Sequence, residues 1–349
     1  MTEERCRIAL LIPALCGPPS ATPATSYPAA GLPALERLLS RSRVEDWPAL
    51  DAEHALGGFF QLSGGDGASL AVAPLTWLAD SGERAPGFIM RADPIHLRAD
   101  QARLRLFDST TFAIDAQEAR DLVSAFNDYY RGRGRHLDAP LPQRWYLTLG
   151  EAPAITTVAP MRLAGRDIKD GLPHGEGGAA WHAFLNDVQM LFHDHPVNQA
   201  RERRGVPVIN SIWPWGGGCL PRQVSTAVTH AFAGHPLPQG LARLAGIPCR
   251  GVPEKATDLP VDTRGGNILV MLDRLEPLCR YGDAQSWADA ITQMEQAWFG
   301  PLLGLLEQGR IARLDLYPVN GKRYAISRWR LRQIWKRDRS LAWHCGHGG

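Results

Sequence analysis

The sequence predicts an α/β fold in which a parallel β-sheet forms the core and a small α+β insertion interrupts it. Apolar runs recur at residues 8–15, 206–213 and 267–273, and such runs are typical of strands buried on both faces of a parallel sheet. Segments with apolar residues at helical spacing alternate with these runs. At 349 residues the chain exceeds the usual size of one hydrophobic core, so we expect two domains or one domain with an insertion.

The first elements of the predicted core are a strand and a short helix. The strand covers residues 8–15, and the helix follows at residues 32–40, where three leucines recur at helical spacing. The glycine-rich stretch after the helix gives no clear assignment beyond a turn at residues 64–67.

Residues 86–165 differ from the rest because their short segments alternate between apolar and polar residues. The alternation predicts brief strands at residues 88–91, 96–98 and 103–107. A helix begins near Asp115, where Glu118 completes a capping box, and a further strand covers residues 144–149. Strands and one helix within so short a stretch predict a small α+β insertion.

The predicted core domain comprises residues 1–85 and 166–349, on either side of the insertion. Its clearest helix covers residues 180–193, where five large apolar side chains fall on one face. The remaining predicted elements are a strand at 206–213, a helix at 237–246, a short strand at 249–252, a strand at 267–273 and a long helix at 283–308.

The composition is that of an ordinary globular protein, with a net charge of +2 and 21% charged residues. So small a charge gives no reason to expect nucleic acid or an anionic membrane as a partner. No apolar run reaches the ~18 residues that a membrane span requires. The run after Arg7 could serve as a signal peptide, but Pro13 interrupts it and a buried strand explains it better. We therefore expect a cytoplasmic protein, whose oligomeric state the sequence does not define.

The six cysteines are scattered along the chain, with no C-x-x-C pair and no regular spacing. Disulfide frameworks are typical of short secreted chains, so we expect reduced, partly buried thiols. A core of this size can be stable without disulfides or a structural metal.

The most distinctive stretch covers residues 193–218 and combines polar side chains with a run of glycines at 216–218. In open α/β sheets ligands bind beyond the carboxyl ends of strands, which is where this glycine run follows a predicted strand. Backbone N–H groups in such a turn can bind an anion, and Arg201 could hold the anion with two hydrogen bonds.

The same stretch also allows a structural interpretation. The glycines would form a tight turn, Trp213 and Trp215 would pack in the core, and His195 would end a helix. His193 and His195 are two residues apart, so on one helix their rings diverge and would not share a metal.

The segment 322–339 carries eight basic residues and one acid, interleaved with Trp329 and Trp335. Such a segment could bind nucleic acid or an acidic partner. Leu331, Ile334 and Trp335 also mark one face of a helix, and a helix docked on the core explains them with the basic residues in solvent. Nucleic acid is therefore not the expected partner.

The stretch from His195 to Gly218 resembles the archaeal-type cofactor-independent phosphoglycerate mutases of the alkaline phosphatase superfamily. That family carries a similar His-Pro-Val-Asn, an arginine three residues later, and an Asn-Ser-Ile-Trp strand that leads into Trp-Gly-x-Gly. Similarities at residues 32–38, 88–94, 236–246 and 282–303 follow the family's order. The pattern also resembles a divergent bacterial branch, the regulatory proteins of xanthomonad pathogenicity-factor clusters.

The resemblance implies a parallel-sheet core of the alkaline phosphatase and phosphoglycerate mutase type. It also implies a pocket for a small phosphorylated or carboxylated ligand, formed by positions that match the family's motifs. The expected ligand-binding residues are His195, Asn198, Arg201, Asn210, Trp215, Gly216, Gly217, Gly218 and Arg91.

The family's chemistry requires two divalent metals held by Asp and His, and a serine nucleophile that takes up phosphate. The sequence departs from the family at each of these positions. Ile12 follows the first strand in place of an aspartate, Gly65 replaces the serine, and Glu276 and Arg280 replace an Asp and a His ligand. Glycine has no nucleophilic side chain, and an arginine at a ligand position repels a cation. We therefore expect no catalytic residue, no metal and no cofactor.

These departures predict a catalytically degenerate phosphoglycerate-mutase-like protein that acts as a regulatory or small-anion-binding protein. One alternative is an active metal-dependent mutase or phosphatase with a rebuilt site. Another is a nucleic-acid-binding regulator that uses residues 322–339.

Overall fold

The computed structural model describes residues 6–17, 27–28, 31–49, 51–62, 70–100, 103–163, 168–261, 265–280, 282–333 and 335–346. The chain forms two compact units. Residues 1–63 and 223–349 form the first unit, and residues 64–222 form the second.

The strands and helices of the described residues are numbered in chain order. The strands are β1 (Arg7–Leu11), β2 (Arg43–Asp46), β3 (Phe88–Asp100), β4 (Arg103–Asp108), β5 (Arg135–Leu141), β6 (Arg144–Leu149), β7 (Ser211–Gly218), β8 (His230–Phe232), β9 (Cys249–Arg250), β10 (Asn267–Met271), β11 (Arg313–Tyr317) and β12 (Lys322–Ser327). The α-helices are α1 (Pro33–Arg41), α2 (Ala52–Phe59), α3 (Val72–Ser81), α4 (Ala116–Tyr129), α5 (Gly178–His193), α6 (Pro196–Arg203), α7 (Pro236–Ala245), α8 (Leu275–Arg280), α9 (Ala284–Met294), α10 (Gly300–Glu307), α11 (Arg328–Leu331) and α12 (Leu341–His344).

The first unit is built on a sheet with the strand order β2-β12-β11-β1-β10-β8-β9. β1 lies in the middle and pairs in parallel with β10 and β11, and β8 and β9 continue the parallel part. β12 and β2 are antiparallel at one edge. Leu10 is in register with Val270 and Leu316, and all three are fully buried. Continuous apolar runs therefore predicted these strands because both faces of the sheet are covered.

Helices α1, α9 and α10 supply much of the core of the first unit, through side chains such as Leu38, Ile291 and Leu302. A π-helical turn, Glu295–Phe299, joins α9 to α10 within the predicted long helix. The Glu295 carboxylate accepts hydrogen bonds from the N–H groups of Ala34 and Leu35, at 2.5 and 3.1 Å. A carboxylate at this position pairs the free N–H groups of the first turn of α1.

The second unit is built on an antiparallel sheet in which β3 pairs with β4, β6 and β7, and β5 pairs with β6. Helices α4 and α5 contribute Phe126, Phe184 and Val188 to its core, which also contains Trp145. The capping box predicted from the sequence is present, because Asp115 and Glu118 each accept from the other's backbone. The α+β character expected of the insertion is therefore observed.

The structure divides the chain at other residues than the predicted boundaries of 86–165. Helix α5 belongs to the second unit, because its apolar face packs among residues of that unit's core. The strand predicted at 206–213 begins instead at Ser211, and it pairs antiparallel with β3 rather than joining the parallel sheet. A continuous apolar run gave the wrong sheet here, because such a run reports burial on both faces and not the strand's partner.

Cys16 and Cys345 form a disulfide bond, which corrects the expectation that every thiol is reduced. Sequence spacing could not show this pair, because 329 residues separate the two cysteines. Cys6, Cys219, Cys249 and Cys279 are free thiols. Within the part of the chain that the structure describes, no helix is long and apolar enough to cross a membrane.

The helix predicted in the basic segment ends earlier than expected, and one of its predicted core contacts is wrong. Helix α11 stops at Leu331, which is buried, whereas Trp335 is 74% exposed. Ile334 lies outside the described residues. The buried Arg41 donates to the Gln333 carbonyl and pairs with Asp338 at 3.0 Å, so the chain after α11 is held by polar contacts.

Candidate functional site

His195 caps the start of α6 rather than ending a helix. Its Nδ1 accepts a hydrogen bond from the Val197 N–H group at 3.3 Å, and Pro196 occupies the first helical position, where no N–H donor is needed. Burial lowers the pKa of the His195 imidazole, while the charge of Asp121 opposes that shift. A neutral ring is the form that can accept the capping hydrogen bond.

Asn198 is buried and uses both ends of its side-chain amide within the protein. Its Nδ2 group donates to the carbonyl oxygens of Phe192 and Ile209, at 2.7 and 2.8 Å. Its Oδ1 atom accepts from the Ile209 N–H group at 2.8 Å. Asn198 therefore ties the end of α5 to the segment that leads into β7.

Arg201 is 2% exposed, and all three of its guanidinium nitrogens donate to groups of the same unit. Nε donates to the Pro207 carbonyl at 2.7 Å and Nη2 to the Ala113 carbonyl at 3.0 Å. Nη1 pairs with the Glu118 carboxylate at 2.5 Å. The other oxygen of Glu118 pairs with Arg204, so the capping carboxylate of α4 also neutralises two arginines.

Asn210 pairs with the backbone of β3. Its Oδ1 atom accepts from the Leu97 N–H group at 2.7 Å, and its Nδ2 group donates to the Leu97 carbonyl at 2.8 Å. A side-chain amide can replace a backbone amide in this way at the end of a sheet ladder. Asn210 therefore extends the pairing of β3 just before β7 begins.

Arg91 and Trp215 lie on neighbouring strands and share one carboxylate. Asp93 accepts from the Arg91 guanidinium and, at 2.7 Å, from the Trp215 Nε1–H group. The guanidinium carbon lies 5.2 Å from the ring centre of Trp215 and 5.3 Å from that of Tyr146. All four residues are buried, so this is a buried ion pair between two aromatic rings.

Tyr146 extends this network to α3. Its hydroxyl donates to the Asp80 carboxylate at 2.6 Å, and Arg144 pairs with the same carboxylate at 2.7 and 2.8 Å. Burial raises the pKa of Tyr146, so its hydroxyl stays protonated. The sequence did not mark Asp80, Asp93 or Tyr146 as site residues. The i, i+2 spacing of Arg91 and Asp93 was the available signal, because alternate residues of a strand share a face.

The glycines at 216–218 allow close packing rather than an open turn. A Cβ atom on Gly216 would lie 3.0 Å from the Val72 side chain, and one on Gly217 would lie 2.9 Å from Met90 and Phe88. A Cβ atom on Gly218 would overlap Ala71. Gly216 also has a φ of +60°, which other residues rarely adopt. Gly216 and Gly218 therefore let the start of α3 approach β7, and Gly217 makes room for side chains of β3.

The structure thus brings the nine predicted residues into one unit, and it pairs their polar side chains with groups of the protein itself. Ligand binding by these residues stays a prediction. The geometry shows a different role for them, since they join α4, α5, α6, β3 and β7 to one another.

The positions at which the resemblance implied metal ligands lie partly outside the described residues. Gly65 and the side chain of Arg280 are among these. Ile12 follows β1 and is fully buried, and Glu276 lies in the first turn of α8. Among the described residues, no group of three or more His, Cys, Asp or Glu is placed to hold a metal ion.

Comparison with known proteins shows what the chain is similar to. A probable 2,3-bisphosphoglycerate-independent phosphoglycerate mutase from Geobacter sulfurreducens is 30% identical over 144 residues, which are 39% of this chain and 34% of the relative. The Methanopyrus kandleri mutase is 29% identical over 180 residues, 44% of this chain and 42% of the relative. The aligned part of this chain is therefore similar to 2,3-bisphosphoglycerate-independent phosphoglycerate mutases. No protein-family model matches the chain.

The chain aligns with less than half the length of these curated relatives. Among solved structures, the PH0037 protein from Pyrococcus horikoshii has a TM-score of 0.59 at 13% identity, covering 93% of this chain and 88% of that one. Together with the parallel sheet of the first unit, this match confirms the predicted α/β fold class.

Proposed function

We propose that this phosphoglycerate-mutase-like chain is catalytically degenerate and acts as a regulatory or small-anion-binding protein. The observation that carries the proposal is the carboxyl end of β1, the central strand of the parallel sheet. Ligands of open α/β sheets bind beyond the carboxyl ends of the strands. The resemblance implies a metal-binding aspartate at this end.

The carboxyl end of β1 is apolar and closed. The side chain of Ile12 is fully buried, and its N–H group donates to the Tyr317 carbonyl at 2.9 Å. The Ala14 carbonyl accepts from the Trp287 indole at 3.0 Å, so that ring closes over the turn after β1. An aliphatic side chain offers no ligand to a divalent cation.

A chain without the metal ligands would lack the whole of the phosphoryl-transfer chemistry that the resemblance implies. A pair of metal ions supplies both the activated nucleophile and the neutralisation of charge that phosphoryl transfer requires. The motif residues that this chain retains have another reason to persist, because Asn198 and Arg201 hold the second unit together. A chain can therefore keep the family's most visible motif without its activity.

A second candidate, an active metal-dependent mutase or phosphatase with a rebuilt site, is favoured by one observation. A cavity of about 360 Å³ opens at the carboxyl end of β10, and its lining combines Asp273, Glu254, Arg274 and Gln293 with apolar residues that include Trp298. Burial raises the pKa of the Asp273 carboxyl, as is common at catalytic carboxylates. Two carboxylates in a cleft are the minimum from which a new site could be built.

Turnover of 3-phosphoglycerate by the purified full-length protein tests both candidates. With Mn²⁺, Mg²⁺ or Zn²⁺ added, we expect no 2-phosphoglycerate and no released phosphate, whereas an authentic cofactor-independent mutase assayed in parallel should show turnover. Metal-dependent turnover that Asp273→Asn abolishes would overturn the degenerate assignment in favour of the rebuilt site. Turnover that survives Asp273→Asn would overturn both the degenerate assignment and the rebuilt site at Asp273.

A further inference from the structure

A cavity of about 500 Å³ lies in the second unit, where a turn connects α4 to β5. Gly132 and Gly134 form this turn with φ angles of +74° and +69°. We call the cavity the Arg135 pocket; its lining includes Asn127, Tyr130, Arg131, Arg135, His136 and Thr148. None of the nine residues predicted from the sequence belongs to it.

Arg135 is half-buried and held by aromatic rings rather than by a carboxylate. Its guanidinium carbon lies 4.4 Å from the ring centre of Phe184 and 5.6 Å from that of Tyr130. Across the described residues, its guanidinium has no ion pair and no hydrogen bond. Stacking fixes the plane of the group while its N–H edge stays available, which is the arrangement that binds a carboxylate or phosphate with two hydrogen bonds.

Tyr130 supplies a second unsatisfied group in the wall of the pocket. The residue is 2% exposed, and its hydroxyl has no hydrogen-bond partner among the described residues. Burial, with a smaller effect from the charge of Asp187, raises the pKa of Tyr130 to about 12. The hydroxyl is therefore a protonated donor at neutral pH, and a buried donor without an acceptor is rare in native proteins.

The charges around the turn favour an anion. Asp128 is already paired with Arg131, and Asp138 lies 3.3 Å from His136. Arg133 stacks on Tyr129 and, like Arg135, has no carboxylate partner within the described chain. Two arginines without an ion pair therefore lie near one further carboxylate, Asp187, whose charge acts on Tyr130, so positive charge still predominates beside the cavity.

We propose that the Arg135 pocket binds a small molecule through an anionic phosphate or carboxylate group. The Arg135 guanidinium holds the anionic oxygens, and the Tyr130 hydroxyl, which is closed off from solvent without a ligand, turns toward the pocket to donate to one of them. This inference rests on the small-anion-binding part of the proposed function and gives that function a site. The expected anion site is then at Arg135, whose guanidinium has no hydrogen-bond partner among the described residues. It is not at Arg201, because all three guanidinium nitrogens of Arg201 already donate to the protein.

Titration calorimetry of the full-length protein with inorganic phosphate and, separately, with citrate tests the pocket at constant ionic strength. Arg135→Gln should weaken binding by about tenfold to a hundredfold, because it removes a charge-assisted, two-bond contact. Tyr130→Phe should weaken it by about three- to tenfold, because it removes one donor. If inorganic phosphate binds more tightly than citrate, the pocket prefers a phosphate group. If citrate binds more tightly, it prefers a carboxylate.

Arg133→Gln is the matched control, because it removes the same charge from the same turn outside the pocket lining. It should change affinity by less than about threefold. Arg135→Lys keeps the charge but not the planar guanidinium, so weaker binding by Arg135→Lys would show that the two-bond contact, and not the charge alone, holds the anion. Three results would overturn the proposal that this pocket binds an anion. They are unchanged affinity in Arg135→Gln, an equal loss of affinity in Arg133→Gln, and no binding of either anion. None of these results bears on 3-phosphoglycerate turnover, so the pocket and the degenerate assignment can fail separately.

Discussion

The two units of the chain differ in what they bury near the positions that the resemblance singled out. In the first unit, the end of β1 presents Ile12 and a turn covered by Trp287, all apolar apart from backbone groups. In the second unit, the motif places Arg91, Asn198 and Arg201 in the interior, each with internal partners. The polar residues that carry the resemblance therefore lie where they bond the fold together, and Ile12 stands where the resemblance implies a metal ligand.

Buried polar groups explain this difference. A buried arginine or asparagine cannot be exchanged one residue at a time, because its partners would then be left unpaired in a medium that solvates them poorly. A metal ligand at the surface of a cleft has no such constraint once the metal is no longer needed. A motif of this kind is therefore better support for a fold than for an activity.

The largest expected effect is that of Arg201→Ala. The substitution leaves Glu118 without one of its two arginines and breaks two further buried hydrogen bonds. We expect the free energy of unfolding to fall by about 3–5 kcal/mol, as when one partner of a buried ion pair is removed. Urea denaturation followed by circular dichroism measures this change.

Arg203→Ala is the control for Arg201, because Arg203 lies on the same helix and is exposed. Its effect should stay within about 0.5 kcal/mol. If the Arg201→Ala protein is as stable as the unmodified protein and has lost phosphate binding, the structural role of Arg201 is contradicted. Arg201 would then be the ligand-binding residue that the resemblance implied.

A smaller effect is expected for Gly218→Ala. The added Cβ atom would overlap Ala71, so α3 or β7 must shift. Overpacking of this kind costs about 1–3 kcal/mol, which thermal unfolding detects. Gly87→Ala should be nearly neutral in the same assay, because nothing lies within 4 Å of a Cβ atom at that position. Equal stability of the two variants would argue against packing as the role of the 216–218 run.

The smallest effect is expected at Trp335, where sequence and structure disagree. Because the side chain is 74% exposed, Trp335→Ala should change the free energy of unfolding by less than about 0.5 kcal/mol. Trp145→Ala, at a fully buried position in the second unit, should cost about 3–5 kcal/mol. A loss of 2 kcal/mol or more at Trp335, near the ~2–3 kcal/mol of a buried large side chain, would restore the docked helix predicted from the sequence.

Local and periodic signals predicted most of the fold. The strands at Arg7–Leu11 and Asn267–Met271, the helix at Gly178–His193 and the capping box of Asp115 and Glu118 all follow from apolar spacing or from one short motif. The partner of each element could not be predicted in this way. Strand β7 pairs with β3, more than 110 residues earlier in the chain, and apolar spacing carries no information about such a partner.

The candidate site was predicted by position but not by role, for the same reason. Arg201 pairs with Glu118, which is 83 residues away in sequence. The sequence predicted that Glu118 belongs to a helix cap, but it did not predict the ion pair between Glu118 and Arg201. Arg135 belongs to no motif that the sequence singled out, because its stacking on Phe184 is a tertiary contact between residues far apart in the chain.

Elemental analysis of the purified full-length protein tests the central proposal most directly, namely that the first unit does not hold the metal ions that the resemblance implies. The protein would be purified without chelators, equilibrated with Mn²⁺, Zn²⁺ and Mg²⁺ in turn, and freed of unbound ion before measurement. We predict less than one tightly bound ion for every ten chains, because Ile12 closes the carboxyl end of β1 where a ligand would stand. One or two ions per chain, bound tightly enough to survive the desalting step, would contradict it.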